Sequence, residues 1–366
     1  MKRILPSLII LASLLCILLC IAADCCRDCN EECPDPYNPD CPDYDSCLVF
    51  PEKCEYNPKG RVSKDSIPIS WSTGDDIPVG LAWTAASILD NRIYVSGGIN
   101  AETGVSNLVQ IYNPLLDSWT ISDHLLQHKR WGHSSNTLDG SIYVMGGCDS
   151  AKGPAISIIE VFNPETGTWE EKGEMPYGRI GHGSVAYQGK IYIMGGELKE
   201  PDLTVLRTVE AFNPSENSWE TLAPMPTPRI FMAVCVVEDT LYAIGGGKKY
   251  PYSGITTIEA YNIAEDTWTR KADLKIGLGD LTASVINNKI YCSGGWTLWT
   301  GDATPIVQVY DPQVDSVYLA TDMQVNRMAS SAVALDDRLY VISGARTIKP
   351  EFSLSPNIDI GTVGLK

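Results

Sequence analysis

Apolar and polar residues along this chain repeat on two scales. On the short scale they alternate, as in HGSVAY (182–187), reach a turn at Gln188-Gly189, and run into an apolar IYIMGG (191–196) that closes on two glycines. Apolar β-formers bounded by turn dipeptides predict hairpins. On the long scale the same eight letters recur at intervals of about 50 residues. They stand as NRIYVSGG (91–98), GSIYVMGG (140–147), GKIYIMGG (189–196), DTLYAIGG (239–246), NKIYCSGG (288–295) and a worn DRLYVISG (337–344). The first four are followed by a second half such as VEAFNPSENSW (209–219), in which a strand, an Asn-Pro or Asn-x turn and a Trp opening a further strand follow in order. Such self-similarity marks one repeat architecture, although a length of 366 residues alone would allow several domains.

The tryptophans of the second halves fall at 119, 169, 219 and 268, with Val317 in the fifth place. Stepping back 48 residues from Trp119 reaches Trp71, in PISWSTGD, which has no glycine-pair half before it. At the other end DRLYVISG has no Trp half after it, while Asn357-Ile358-Asp359-Ile360 stands where its third strand belongs. The sixth unit should therefore take its fourth strand from around Trp71, which leaves no open sheet edge. Four short strands per unit, a glycine pair and a delayed Trp resemble the Kelch repeat, from Trp71 to the C-terminus. The resemblance implies an all-β fold: a six-bladed Kelch-type β-propeller over 61–366, with four antiparallel strands per blade around a central channel.

Composition changes this picture mainly at the N-terminus. Lys2 and Arg3 precede an uncharged apolar run from Ile4 to Ala23, the layout of an export signal, although the run is also long enough for an uncleaved anchor that would tether the protein to a membrane. Residues 1–23 are thus a signal peptide or anchor, and the remainder is expected outside the cytosol, secreted, on the cell surface or in a periplasm. Residues 24–60 hold Cys25, Cys26, Cys29, Cys33, Cys41, Cys47 and Cys54 in a Pro- and Asp-rich stretch. In an exported chain this reads as a disulfide-stapled module. A zinc site at Cys26-x-x-Cys29 and calcium held by Asp35, Asp40, Asp43 and Asp45 are the rival readings. A net charge of −17 excludes nucleic acid as a general partner.

The two propeller faces differ in charge. With strands a to d running from the channel outward, the a–b and c–d turns share a face carrying Asp90, Asp117, Asp139, Glu165 and Asp266, among others. The d–a junctions on the other face carry Arg130, Arg179, Arg229 and Arg327, with Leu81 and Leu278 in the two remaining blades. The b–c loops there add Tyr250, Tyr252, Trp296 and Trp299. Arginine's fixed donor fork suits carboxylates, so these residues form the candidate ligand-binding site. A repeated Arg paired with an acid of its own blade, and aromatics that merely cover a neighbour, are the structural alternatives.

Signals for catalysis are weaker. His133 and His182 share one phase (RWGHSS, RIGHGS), and a metal site with His124 or His128 competes with simple Gly-His packing. Copper-radical oxidases of the Kelch kind need a Cys–Tyr cross-link and two His, but no His lies in the last three blades, a departure from that pattern. Sugar mutarotases acting on sialic acid are also exported Kelch proteins; for such an activity Asp280 and Glu197 are the carboxylates in position. No cofactor is expected. The sequence thus points to a binding module for an acidic peptide, protein or glycan, with a sugar-processing enzyme or a structural propeller as alternatives.

Overall fold

The computed structural model describes residues 66–150, 153–199, 203–248, 253–297, 302–347 and 352–364. Residues 1–23, expected to be a signal or anchor, and the seven clustered cysteines lie outside the described residues, in a unit that ends at Lys64. The described part is all-β, as the repeat predicts: six four-stranded antiparallel sheets and two short hairpins, with no helix among the described residues.

One blade shows how the sequence does this. Gly183–Tyr187, Lys190–Met194, Val209–Asn213 and Ser218–Leu222 pair in that order. The first turn is tight because Gln188 and Gly189 both take positive φ, the conformation whose twist matches a two-residue hairpin. The second is an Asx turn in which the Asn213 side chain accepts the Ser215 N–H at 3.1 Å. The delayed Trp then meets an aromatic on the third strand: Phe212 faces Trp219, as Tyr112 faces Trp119 and Tyr261 faces Trp268. Val317 holds the same position opposite Tyr310.

Closure follows the expected arithmetic. The sixth blade is Ser331–Leu335, Arg338–Ile342, Ile358–Val363 and, on the outside, Ile69–Gly74. Trp71 pairs with Gly361, where any Cβ would stand 2.7 Å from the indole, so a glycine occupies the place of the aromatic partner. The Trp71 indole N–H also reaches the Thr321 carbonyl of the fifth blade at 2.9 Å.

Between blades lie the cores, one per interface. Tyr242 of the fourth blade and Tyr310 of the fifth, for example, meet in a cluster with Ile244, Ile258, Ile290 and Cys292. The acidic turns contribute here rather than simply facing solvent. Asp117, Asp266 and Asp315 each accept the hydroxyl of Tyr112, Tyr261 or Tyr310 and a backbone N–H of the preceding blade.

Candidate functional site

Two concentric rings of backbone hydrogen bonds define the face of the d–a junctions. In the outer ring the second glycine of each pair donates its N–H to the carbonyl of the Arg/Leu position in the next blade. The six bonds run from Gly98 to Arg130, and so on to Gly344 and Leu81, at 2.8 to 3.1 Å. These glycines have φ near +90° to +106°, and a Cβ on Gly196 would stand 2.7 Å from the Ile180 carbonyl oxygen. The repeated glycine pair is therefore a blade-to-blade joint.

The arginines brace this joint from beneath. Arg130, Arg179, Arg229 and Arg327 are fully buried, and each donates from Nη1 to a glycine-pair carbonyl or its Ser343 equivalent at 2.9 to 3.1 Å. From Nη2 each pairs with a buried acid about thirty residues on: Glu160, Glu210, Glu259 and Asp359 respectively. Those acids in turn accept from the chain just before the arginine, as Glu160 does from the Gln127 and His128 N–H groups. This corrects the expectation of an arginine-lined mouth. The side chain turns back under its own blade, where desolvation demands a paired acid, instead of reaching into the channel.

Blades one and five solve the same problem without charge. Where Leu81 and Leu278 replace arginine, Gln110 and Gln308 replace the acid. The Gln110 amide accepts from Val79 N–H at 2.8 Å and donates to its carbonyl at 3.0 Å, and Gln308 does the same at Ile276. The co-occurrence was readable as Arg…Glu/Asp against Leu…Gln at a spacing of about thirty residues, a signal that inspection of the arginines alone misses.

The inner ring closes the channel mouth. Trp83, Gly132, Gly181, Phe231, Asp280 and Ala329, each two residues beyond the brace position, donate N–H to the carbonyl of the preceding member at 2.7 to 3.3 Å. All six have φ between 52° and 64°, so four non-glycine residues sit in the left-handed region. Their side chains converge. The half-buried Trp83 indole meets Trp131 edge-on at 5.5 Å, lies 6.4 Å from Phe231 and stacks with Phe352 at 6.2 Å. Its Nε1 donates to Asp280 at 2.8 Å. Burial pushes the Asp280 carboxyl up to about 7, against the opposing bonds from the Trp83 and Trp296 indoles. Trp83, Ile99, Asn100, Ala101 and Phe352 line an apolar hollow of about 230 Å³ beside the ring.

The remaining expected site residues fall apart. Trp296 is fully buried, with its ring over Gly279, so it covers a neighbour and offers no platform. Tyr250, Tyr252 and Trp299 lie outside the described residues. Glu197 is buried in a bridge to Ile180 and Val205. His133 and His182 are each bonded through Nε2 to a serine of the preceding blade, Ser96 at 3.1 Å and Ser134 at 2.9 Å. Their rings fill the space over Gly97 and Gly146. Burial, reinforced by the neighbouring guanidinium, drives both toward the neutral form, His182 to about 3. His128 pairs with Glu171 at 2.8 Å, and the exposed His124 is not brought to them.

The fold and its repeats agree with known proteins. The KLHDC2/KLHL20/DRC7 Kelch-repeats domain matches over residues 68–246 and 132–344. Similar chains include the F-box/kelch-repeat protein At1g67480 of Arabidopsis thaliana, 28% identical over 100 residues (27% of this chain, 26% of that one). Kelch-like protein 25 of Xenopus tropicalis is 32% identical over 101 residues, 26% of this chain and 17% of that one. Beta-scruin of Limulus polyphemus is 29% identical over 140 residues, 34% of this chain and 15% of that one. The matched stretches thus span about a quarter or less of these relatives. The solved structure of YjhT superposes with a TM-score of 0.64 at 16% identity, covering 76% of this chain and 99% of that one, a likeness of fold. With six glycine joints between blades, outer strands carrying Trp in five of the six blades, and a family match extending from residue 68 to 344, the chain belongs to the Kelch-repeat family.

Proposed function

We propose that this propeller is a protein-binding module that takes its partner at the channel mouth, on the face built around Trp83. One observation carries the reading. Trp83 keeps a large, half-buried indole on a left-handed backbone where the second and third blades use Gly132 and Gly181. A non-glycine residue there costs about 1–2 kcal/mol, and such strain gathers at binding sites. The family supplies the general expectation of a protein partner. The preference for an acidic peptide or glycan has lost its support, because the arginine forks are consumed inside the blades. The mutarotase alternative is not favoured either, since the carboxylates beside those arginines are sealed in packed protein with them. Export, with 1–23 as leader or anchor and disulfides among the seven clustered cysteines, is part of the proposal on sequence grounds. Thiol alkylation of the secreted chain with and without reductant tests it.

The test of the module is selection of peptides from a random displayed library on the full chain. Selected peptides should lose about tenfold or more in affinity with Trp83→Ala, the size of an aromatic hot spot. A Leu115→Ser, Leu116→Ser variant, altered at two exposed leucines of the opposite face, should bind unchanged. Equal binding by Trp83→Ala would remove the mouth from consideration.

A further inference from the structure

The chemistry at the mouth names a class of ligand group. The four arginines that lie closest beneath it are each neutralised by an acid, so they present no net charge upward. Asp280 differs. It is the one ionisable side chain in the inner ring, 8% exposed, and among the described residues it has no ion-pair partner. Its bonds come from indole N–H groups, which leave the charge of its ionised form, the dominant one above about pH 7, uncompensated.

That charge is coupled to an aromatic surface. A carboxylate accepting from an indole N–H adds to the negative potential over the ring face, which is where a cation binds. Trp83 turns this indole toward the hollow it shares with Phe352, Ile99, Asn100 and Ala101. The aliphatic stem of a long basic side chain fits the apolar walls, and its head needs a negative potential. The cluster already takes one cation of its own: Lys199 Nζ stands 5.1 Å over the Trp131 ring, edge-on to Trp83.

We propose that the mouth recognises a positively charged side chain, lysine or arginine, of a protein partner, seated over Trp83 with Asp280 behind the indole. This rests on the reading of the mouth as a docking face and specifies what is docked. It reverses the charge preference that the arginines imply in the sequence.

The experiment uses the full chain at pH 8, where Asp280 is mostly ionised, and three small probes: Nα-acetyl-lysine methylamide, its norleucine counterpart and its glutamate counterpart. Binding is followed on the indole N–H resonance of Trp83, assigned by its loss in Trp83→Phe. The lysine probe should shift that signal and bind about three- to tenfold more tightly than the norleucine probe, the range of a cation–π contact. Asp280→Asn keeps an acceptor for the indole, and asparagine tolerates the left-handed backbone. In that variant, compared with the wild type at a pH and temperature where both are fully folded, the lysine preference should fall toward one. Equal binding of lysine and norleucine probes, or preference for glutamate, overturns the inference while leaving the mouth a docking site. Absence of any shift at Trp83 also overturns it, and the peptide selection then decides the docking face independently. Retention of the lysine preference in Asp280→Asn removes Asp280 from recognition and defeats the proposal as stated.

Discussion

Two sets of six equivalent positions circle the axis, and they vary by opposite rules. At the brace level every substitution is matched: Arg with Glu or Asp in four blades, Leu with Gln in two, and in both versions the acid or amide oxygen accepts from the chain just before the brace position. At the mouth the backbone is constant, yet the side chains run Trp, Gly, Gly, Phe, Asp and Ala without compensating partners in register. Variation that preserves hydrogen bonding indicates a structural role. Variation that accepts backbone strain to hold unlike side chains indicates selection for something outside the fold.

The sharpest way to break this contrast is to unmatch a brace. Arg229→Met leaves Glu259 buried and unpaired and should cost about 3–5 kcal/mol. Converting the blade fully, with Arg229→Leu and Glu259→Gln together, copies blades one and five and should restore most of that loss. Urea unfolding of the single and double variants checks both. A double variant as unstable as the single would show that the two braces are not interchangeable.

Asp280 should reveal itself through pH. Its folded value of about 7 lies above the ordinary 3.8, so the folded state holds the proton more tightly than the unfolded chain. Its favourable contribution is full below about 4 and is lost as pH rises through about 7, a change on the order of 4 kcal/mol. His182, depressed to about 3, acts in the opposite sense and loses its contribution as pH falls below the usual imidazole value. The readout is therefore the difference in stability between the wild type and Asp280→Asn from pH 4 to 8. The variant should gain relative stability steadily over that range; a flat difference would mean the carboxyl is not buried as described.

A smaller effect is expected from the neutral brace. Gln308→Ala strips Ile276 of a partner for both its N–H and its carbonyl, and should cost about 1–3 kcal/mol by thermal melting. No measurable loss would place water, rather than the amide, in the structural role.

The fold was legible because its signals are local and repeated. Turn pairs, glycine pairs and Trp positions each report on their own few residues, and arithmetic on them located the strand at Trp71. The site was not legible for a related reason. A repeated Arg reads the same whether it faces a channel or folds back, and its partner lies about thirty residues away on another strand. Trp83 and Asp280 carry no motif. Only counting two residues past each brace position brings them into one ring, and their convergence depends on closure of the propeller.

The finest test concerns strain itself, at Ala329. Replacing a buried alanine by glycine normally loses a methyl group's burial, about 0.8 kcal/mol, and adds unfolded-chain entropy of about 0.5–1 kcal/mol. At Ala260, on a strand and also buried, Ala260→Gly should therefore cost more than about 1 kcal/mol. Ala329 stands at φ 53°, where an L-residue is penalised by about 1–2 kcal/mol that glycine escapes. The opposing contributions nearly cancel, so Ala329→Gly should change stability by no more than about 0.5 kcal/mol, measured beside Ala260→Gly by urea midpoint. A loss at Ala329 as large as that at Ala260 would mean the ring is unstrained. Trp83, Phe231 and Asp280 would then sit there at no cost, and their presence would no longer argue for a ligand.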